Sequence, residues 1–187
     1  MRNVKLLVIS ICLGLLFVSC GTTSTKAVAF PGMYEEKPTV MLIMPPINNS
    51  NYVDAKDYFY TTMNVPLAEA GYYVLPPAAT LATMQRESAY DSERFIDGDV
   101  KRFGKIFGAD VAIFTIIQGW EKSVIGSAVI IEIEYVFKST KTNEVLYRRK
   151  ARLNCDTSSN VRTNGLFSGL INLVADAVKT AVTDYVS

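Results

Sequence analysis

The sequence contains no histidine. That excludes Ser-His-Asp and Cys-His catalysis and removes the commonest transition-metal ligand. Its three cysteines, Cys12, Cys20 and Cys155, are too far apart to form a Cys-x-x-Cys site. There is no glycine-rich phosphate loop of the usual spacing and no Gly-x-Ser-x-Gly elbow. Charge of one sign is also missing: 19 Lys and Arg stand against 18 Asp and Glu. Such a balance gives no electrostatic footprint for nucleic acid. An enzyme needs reactive groups clustered in a pocket. Glu132 and Glu134 are two apart on one strand face, but basic partners explain them, and Asp97 and Asp99 read as helix caps. The sequence therefore offers no catalytic residue, no metal ligand and no cofactor site.

What is present begins at the N-terminus. Arg2 and Lys5 make a basic start, and Leu6 to Val18 is an uncharged, mostly apolar stretch of 13 residues. A spanning helix needs about 20 apolar residues, so this run reads as a secretory signal over residues 1–19. Leu16-Phe17-Val18-Ser19-Cys20 resembles the lipobox of bacterial lipoproteins, with Phe17 where Leu, Val or Ile is usual. The resemblance implies that Cys20 carries a diacylglyceryl group and becomes the new N-terminus. Two or three acyl chains, at about 0.8 kcal/mol per buried methylene, hold a protein at a membrane. Gly21 rather than Asp follows the cysteine. By resemblance to the sorting rule of enteric bacteria, that implies an outer-membrane address facing the periplasm. Beyond Cys20 lie 167 residues, enough for one domain and a tether. Residues 20–38, with Pro31-Gly32 and Pro38, read as the lipidated Cys and a flexible tether, and 39–187 as a single globular domain. Cys155, left without an intramolecular partner, reads as a small apolar strand residue rather than a reactive thiol.

Within the domain, Val40–Met44 is a continuous apolar run closed by Pro45-Pro46, which predicts a strand buried on both faces. A loop, Ile47–Val53, follows at its carboxyl end, where open α/β sheets tend to bind ligands. Its Asn48, Asn49 and Asn51 make it the best candidate for a partner-binding loop; the alternative is a turn whose Asn side chains bond their own backbone. One helix is predicted from about Ala55 to Ala70, capped by Asp54, kinked or entering its last turn at Pro66 and closed by Gly71. Phe59, Met63, Leu67 and Ala70 form its buried face. Tyr72–Leu75 predicts a second strand, Ala78–Glu87 a helix, Ser88–Gly98 an irregular polar segment and Val100–Phe107 a third helix ended by Gly108. Val111–Ile117 predicts the third buried strand, with Trp120 half buried beyond its end.

Ile130–Lys138 and Val145–Cys155 alternate, with apolar residues mostly at odd positions and charges at even ones. A hairpin centred near residue 142 sets Glu134 opposite Lys150 and Glu132 opposite Arg152, which neutralises a solvated face carrying Arg148, Lys150 and Arg152. Leu166–Val186 is amphipathic; one lysine against two aspartates on its polar face marks a core helix rather than a membrane-surface one.

The order of elements predicts an α/β domain (an α+β sandwich), a mixed sheet of about five strands with helices packed on it and a C-terminal amphipathic helix. Three motifs point to a family: Met44-Pro45-Pro46-Ile47-Asn48-Asn49-Ser50, then Pro66-Leu67-Ala68-Glu69-Ala70-Gly71-Tyr72-Tyr73-Val74, then Phe107-Gly108-Ala109-Asp110-Val111-Ala112. They resemble a family of bacterial lipoproteins of unknown function typified by a neisserial surface lipoprotein antigen. More remotely, the order of elements resembles the periplasmic domain of the curli-secretion channel lipoprotein and the lipoprotein activators of peptidoglycan synthases. That resemblance implies an anticodon-binding-like domain.

Two functions from different classes follow as expectations. The first is a lipid-anchored, non-catalytic interaction module with envelope proteins as partners, in a secretion or surface-structure system. The second is an oligomeric ring or channel subunit similar to the curli-secretion lipoprotein. A lipid-facing hairpin needs a continuous apolar outward face. The charges at even positions argue against a pore but leave a homo-oligomeric ring open.

Overall fold

Apolar runs with no polar face must be covered on both sides, and here helices do the covering. The computed structural model describes residues 26–122 and 128–156. Two short helices, α1 (Lys26–Ala29) and α2 (Pro31–Glu36), lead into β1 (Val40–Ile43) and the two-residue β2 (Ile47–Asn48). Then come α3 (Ala55–Tyr60), α4 (Asn64–Glu69), β3 (Tyr73–Val74), α5 (Pro77–Arg86), α6 (Ser92–Ile96) and α7 (Lys101–Phe107). Three twelve-residue strands follow: β4 (Val111–Lys122), β5 (Ala128–Ser139) and β6 (Val145–Asp156).

They make one mixed sheet in the order β3-β1-β4-β5-β6, with β2 also on β4. Pairing among β3, β1, β2 and β4 is parallel, while β4, β5 and β6 form an antiparallel meander. Among the described residues the sheet thus ends in β3 on one side and β6 on the other. Alternate residues of β1, its extension to Met44, and β4 feed two cores. Met41, Ile43, Val111 and Ile113 meet Phe59, Met63 and Leu67 on one face. Leu42, Met44, Ala112 and Phe114 meet Met84, Phe95 and Phe103 on the other.

The structure departs from the sequence expectations in six places. The single helix over 55–70 is two helices, because Pro66 has no amide to donate and sits in the first turn of α4, where proline is tolerated. Asp54 precedes α3 without making a side-chain cap, whereas Gly71 adopts the positive φ of 92° expected past a helix end. Residues 26–37 are helical rather than an irregular tether. Pro31 starts α2, Met33 is buried, and the Phe30 ring lies 4.5 Å from that of Tyr147. The loop expected from Ile47 opens with β2, and the segment Ser88–Gly98 contains α6. Finally, β4 runs past Ile117 to Lys122 across an irregularity at Gln118. Cys20, the signal segment and the amphipathic stretch Leu166–Val186 lie outside the described residues; Cys155 stands on β6 opposite Val129.

Candidate interaction surface

The asparagine loop turns out to be largely self-contained. Asn48 Oδ1 accepts from the Ser50 amide at 3.0 Å and the Ser50 hydroxyl at 2.7 Å, and its Nδ2 donates to the Tyr52 carbonyl at 2.7 Å. Its side chain is therefore spent on holding the turn, which is the usual work of an Asn in this position. The Asn49 amide donates to the Ile117 carbonyl, tying the loop to β4. The side chains of Asn49 and Asn51 are exposed at its rim. Tyr52 then stacks on Trp120, with ring centroids 4.6 Å apart and planes 18° from parallel, and Phe59 meets the same indole edge-on. Trp120 reaches this position because the irregularity at Gln118 shifts the alternation of β4, so the indole joins the core face and Gln118 the other.

The β5–β6 hairpin adopts the expected register, with Glu134 opposite Lys150 and Glu132 opposite Arg152. Its turn is set by Asn143 at φ 72°, whose Oδ1 also accepts from the Val100 amide at the start of α7. The ion pairs follow the register only in part. Arg152 Nε lies 3.7 Å from Glu132 Oε1, but Glu134 pairs diagonally with Arg148, Nε to Oε1 at 3.5 Å. The other Glu134 oxygen accepts from Gln118 Nε2 at 3.1 Å. The Arg152–Glu132 pair is exposed and contributes about 0–1 kcal/mol, whereas Glu134 is itself largely buried.

The even face of the hairpin is not uniformly solvated. At the turn end Val136 belongs to the second core, and Lys138 is only 4% exposed. The Lys138 amine donates to the carbonyls of Ile96 at 3.1 Å, of Phe95 and of Gly98, so it closes the carboxyl end of α6. Burial pulls its pKa below the usual lysine value, opposed by nearby Asp97 and Asp99. Strand alternation alone puts Lys138 in water, because nothing in the local pattern announces α6 above it. Only the far half of the face is open. There Gln118, Glu132, Ile133, Lys150, Ala151 and Arg152 line an open depression of about 520 Å³.

A second tie lies beneath the hairpin turn. Asp110 Oδ2 accepts from the amides of Thr39 and Val40 and from the Thr39 hydroxyl, each at 3.0 Å, and its Oδ1 is 3.0 Å from Lys141 Nζ. Burial alone would raise this carboxyl; the Val40 and Thr39 amides, Lys141 and the Thr39 hydroxyl more than offset it and hold it down to about 2. One carboxylate thus joins the entry of β1, the entry of β4 and the β5–β6 turn. Its work is structural, since every contact is with the chain itself.

Chemically, the one carboxylate lining the open depression, Glu132, is already engaged by Arg152, and the neighbouring Glu134 is held by Arg148 and Gln118. Among the described residues, no group of three or more His, Cys, Asp or Glu is placed to hold a metal ion. Among them too, no helix is long and apolar enough to cross a membrane. What the hairpin offers is a charged surface.

The comparisons with known proteins agree on one family. A lipoprotein of Neisseria meningitidis serogroup B is 22% identical over 182 residues, which is 96% of this chain and 84% of that protein. The crystal structure of lipoprotein GNA1162 from Neisseria meningitidis superposes with a TM-score of 0.60 at 22% identity, over 76% of this chain and 99% of that one. PelC from Paraburkholderia phytofirmans, solved as a dodecamer, shares the fold at a TM-score of 0.53 and 11% identity, over 78% of this chain and 88% of that one. The family model described as "Putative lipoprotein GNA1162-like" matches residues 29–187. The chain belongs to the GNA1162-like lipoprotein family.

Proposed function

We propose that this lipoprotein is an interaction and assembly module of the bacterial envelope, without catalytic activity of its own. It is tethered through acyl chains on Cys20 at the outer membrane and faces the periplasm. The observation that carries the reading is the far half of the β5–β6 hairpin. It presents an open strip of charge in place of a pocket of reactive groups. Asn49 and Asn51 at the rim of the Tyr52–Trp120 stack add a second contact area.

A ring of identical protomers is the second reading. The PelC neighbours were solved as dodecamers, and that assembly belongs to those proteins. It supports asking the same of this one. A lipid-facing barrel contribution from the hairpin is disfavoured, because Glu132, Lys150 and Arg152 sit where a membrane strand needs apolar side chains.

The test is the mass of the lipidated protein in mild detergent, by light scattering at several concentrations and corrected for bound detergent. A discrete multiple of the protomer supports the ring. A monomer at every concentration supports an adaptor, and affinity capture from envelope extracts then has to return a defined protein. A monomer that captures nothing overturns the proposal. Mass spectrometry of the N-terminal peptide checks the anchor, and an unmodified Cys20 refutes it.

A further inference from the structure

Among the described residues the sheet ends at β6, which carries a concentration of positive charge. Four of the five residues 148–152 are Arg or Lys, in a chain whose overall charge is nearly balanced. Arg148, Arg149, Lys150 and Arg152 are all exposed. Two of them have weak partners: the Arg148 and Arg152 side chains remain 52% and 66% exposed despite Glu134 and Glu132. Lys150 has no ion partner among the described residues.

Among those residues, β6 also pairs with no strand on its outer side. Helix α2 covers only its beginning, where Gly32 lies against Leu146 and Phe30 against Tyr147. From Arg148 onward, as far as the described residues go, the edge presents main-chain amides and carbonyls without a strand partner.

The geometry points to this edge as a docking site for an extended segment of a partner protein, added as a further strand beside Arg148–Leu153. Side-chain alternation then specifies the partner. Its residues on one face would lie beside Arg148, Lys150 and Arg152 and should be acidic. Those on the other face would lie beside Ala151 and Leu153 and should be apolar, with one further acidic residue only where that face begins, beside the exposed Arg149. The occupant is thus an acidic–apolar alternating strand. A second copy of β6 fits poorly, because antiparallel pairing of two such edges sets Arg and Lys against Arg and Lys. An anionic membrane surface would use the same charges but leave the main-chain edge unused. This inference rests on the interaction-module reading and names the partner chemistry of that module.

The experiment uses the full lipidated chain in neutral detergent and a fluorescent eight-residue peptide alternating Glu and Val, read by anisotropy. Saturable binding is expected, weakening as salt rises. Lys150→Glu combined with Arg152→Glu should weaken it about tenfold, and the milder Lys150→Gln to a smaller extent. A fully N-methylated peptide of the same sequence keeps the charge and loses every amide donor, so it should not bind. The proposal is overturned if the wild type does not bind, if the N-methylated peptide binds equally well, or if neither variant weakens binding. It is overturned as well if the variants lose only affinity for phosphatidylglycerol vesicles. An envelope partner or a multimer that persists unchanged in Lys150→Gln would leave the module reading standing and remove only the edge.

Discussion

Replacing Asp110 with Asn should loosen the place where three chain segments meet, and by an amount that depends on pH. The carboxyl is held at about 2 against an ordinary value of 3.8. At about 1.4 kcal/mol per pKa unit, the ionised form contributes about 2 kcal/mol to stability at neutral pH. The side chain is 20% exposed, so screening takes only part of this. Because the folded-state value is depressed, the contribution is complete above the unfolded value of 3.8. It is lost as pH falls from there through about 2. Linkage leaves roughly half of it at about pH 3. Asn keeps the shape and one acceptor but carries no charge, and its NH2 must face either the Thr39 and Val40 amides or the Lys141 ammonium, donor against donor. Urea unfolding followed by the fluorescence of Trp120, the single tryptophan, should therefore show Asp110→Asn less stable by about 2 kcal/mol at pH 7. At about pH 3 the deficit should shrink to about 1 kcal/mol. A deficit of the same size at both pH values would refute the ionic account, and one below about 0.5 kcal/mol at pH 7 would refute the tie itself.

Three further outcomes test other parts of the fold. Lys138→Met leaves the carbonyls at the end of α6 without their donor and should cost about 2 kcal/mol, seen as a lower urea midpoint. Tyr135→Phe should be neutral or stabilise by up to about 1 kcal/mol in thermal unfolding. Its phenol is buried with no hydrogen-bond partner among the described residues, and burial also pushes its pKa up. Gly108→Ala should cost about 1 kcal/mol although nothing crowds the site, because its φ of 66° closes α7 in the left-handed region.

The hairpin is legible in the sequence, register included. Period-two alternation in two strands and an Asn at the turn leave few alternatives. The buried strands β1 and β4 are equally plain, being continuous apolar runs bounded by proline or glycine. What escapes such a reading is whatever depends on contacts distant in sequence. Lys138 looks solvent-facing on its own strand and is buried only because α6, some 40 residues earlier, lies over it. Phe30 and Met33 look like part of a leader, and only the open edge at the start of β6 gives them a place to pack. Pro31 and Pro66 read as interruptions, yet each stands in the first turn of a helix. The Asn48–Asn51 loop stands out by its position, but its strongest bonds are internal. The charge on β6 is visible in the sequence, and the open edge beside it is not.

The two ends of the sheet are unequal: β3 is a two-residue strand and β6 a twelve-residue one. That inequality fixes a valence. A strand docked on β6 finds no matching length of edge on the β3 side of another protomer, so sheet extension stops after one addition. Each protomer would take one guest strand at its β6 edge rather than polymerise through its sheet. Any larger closed assembly would have to be built from helix faces and loops, leaving the β6 edge of each subunit for its guest.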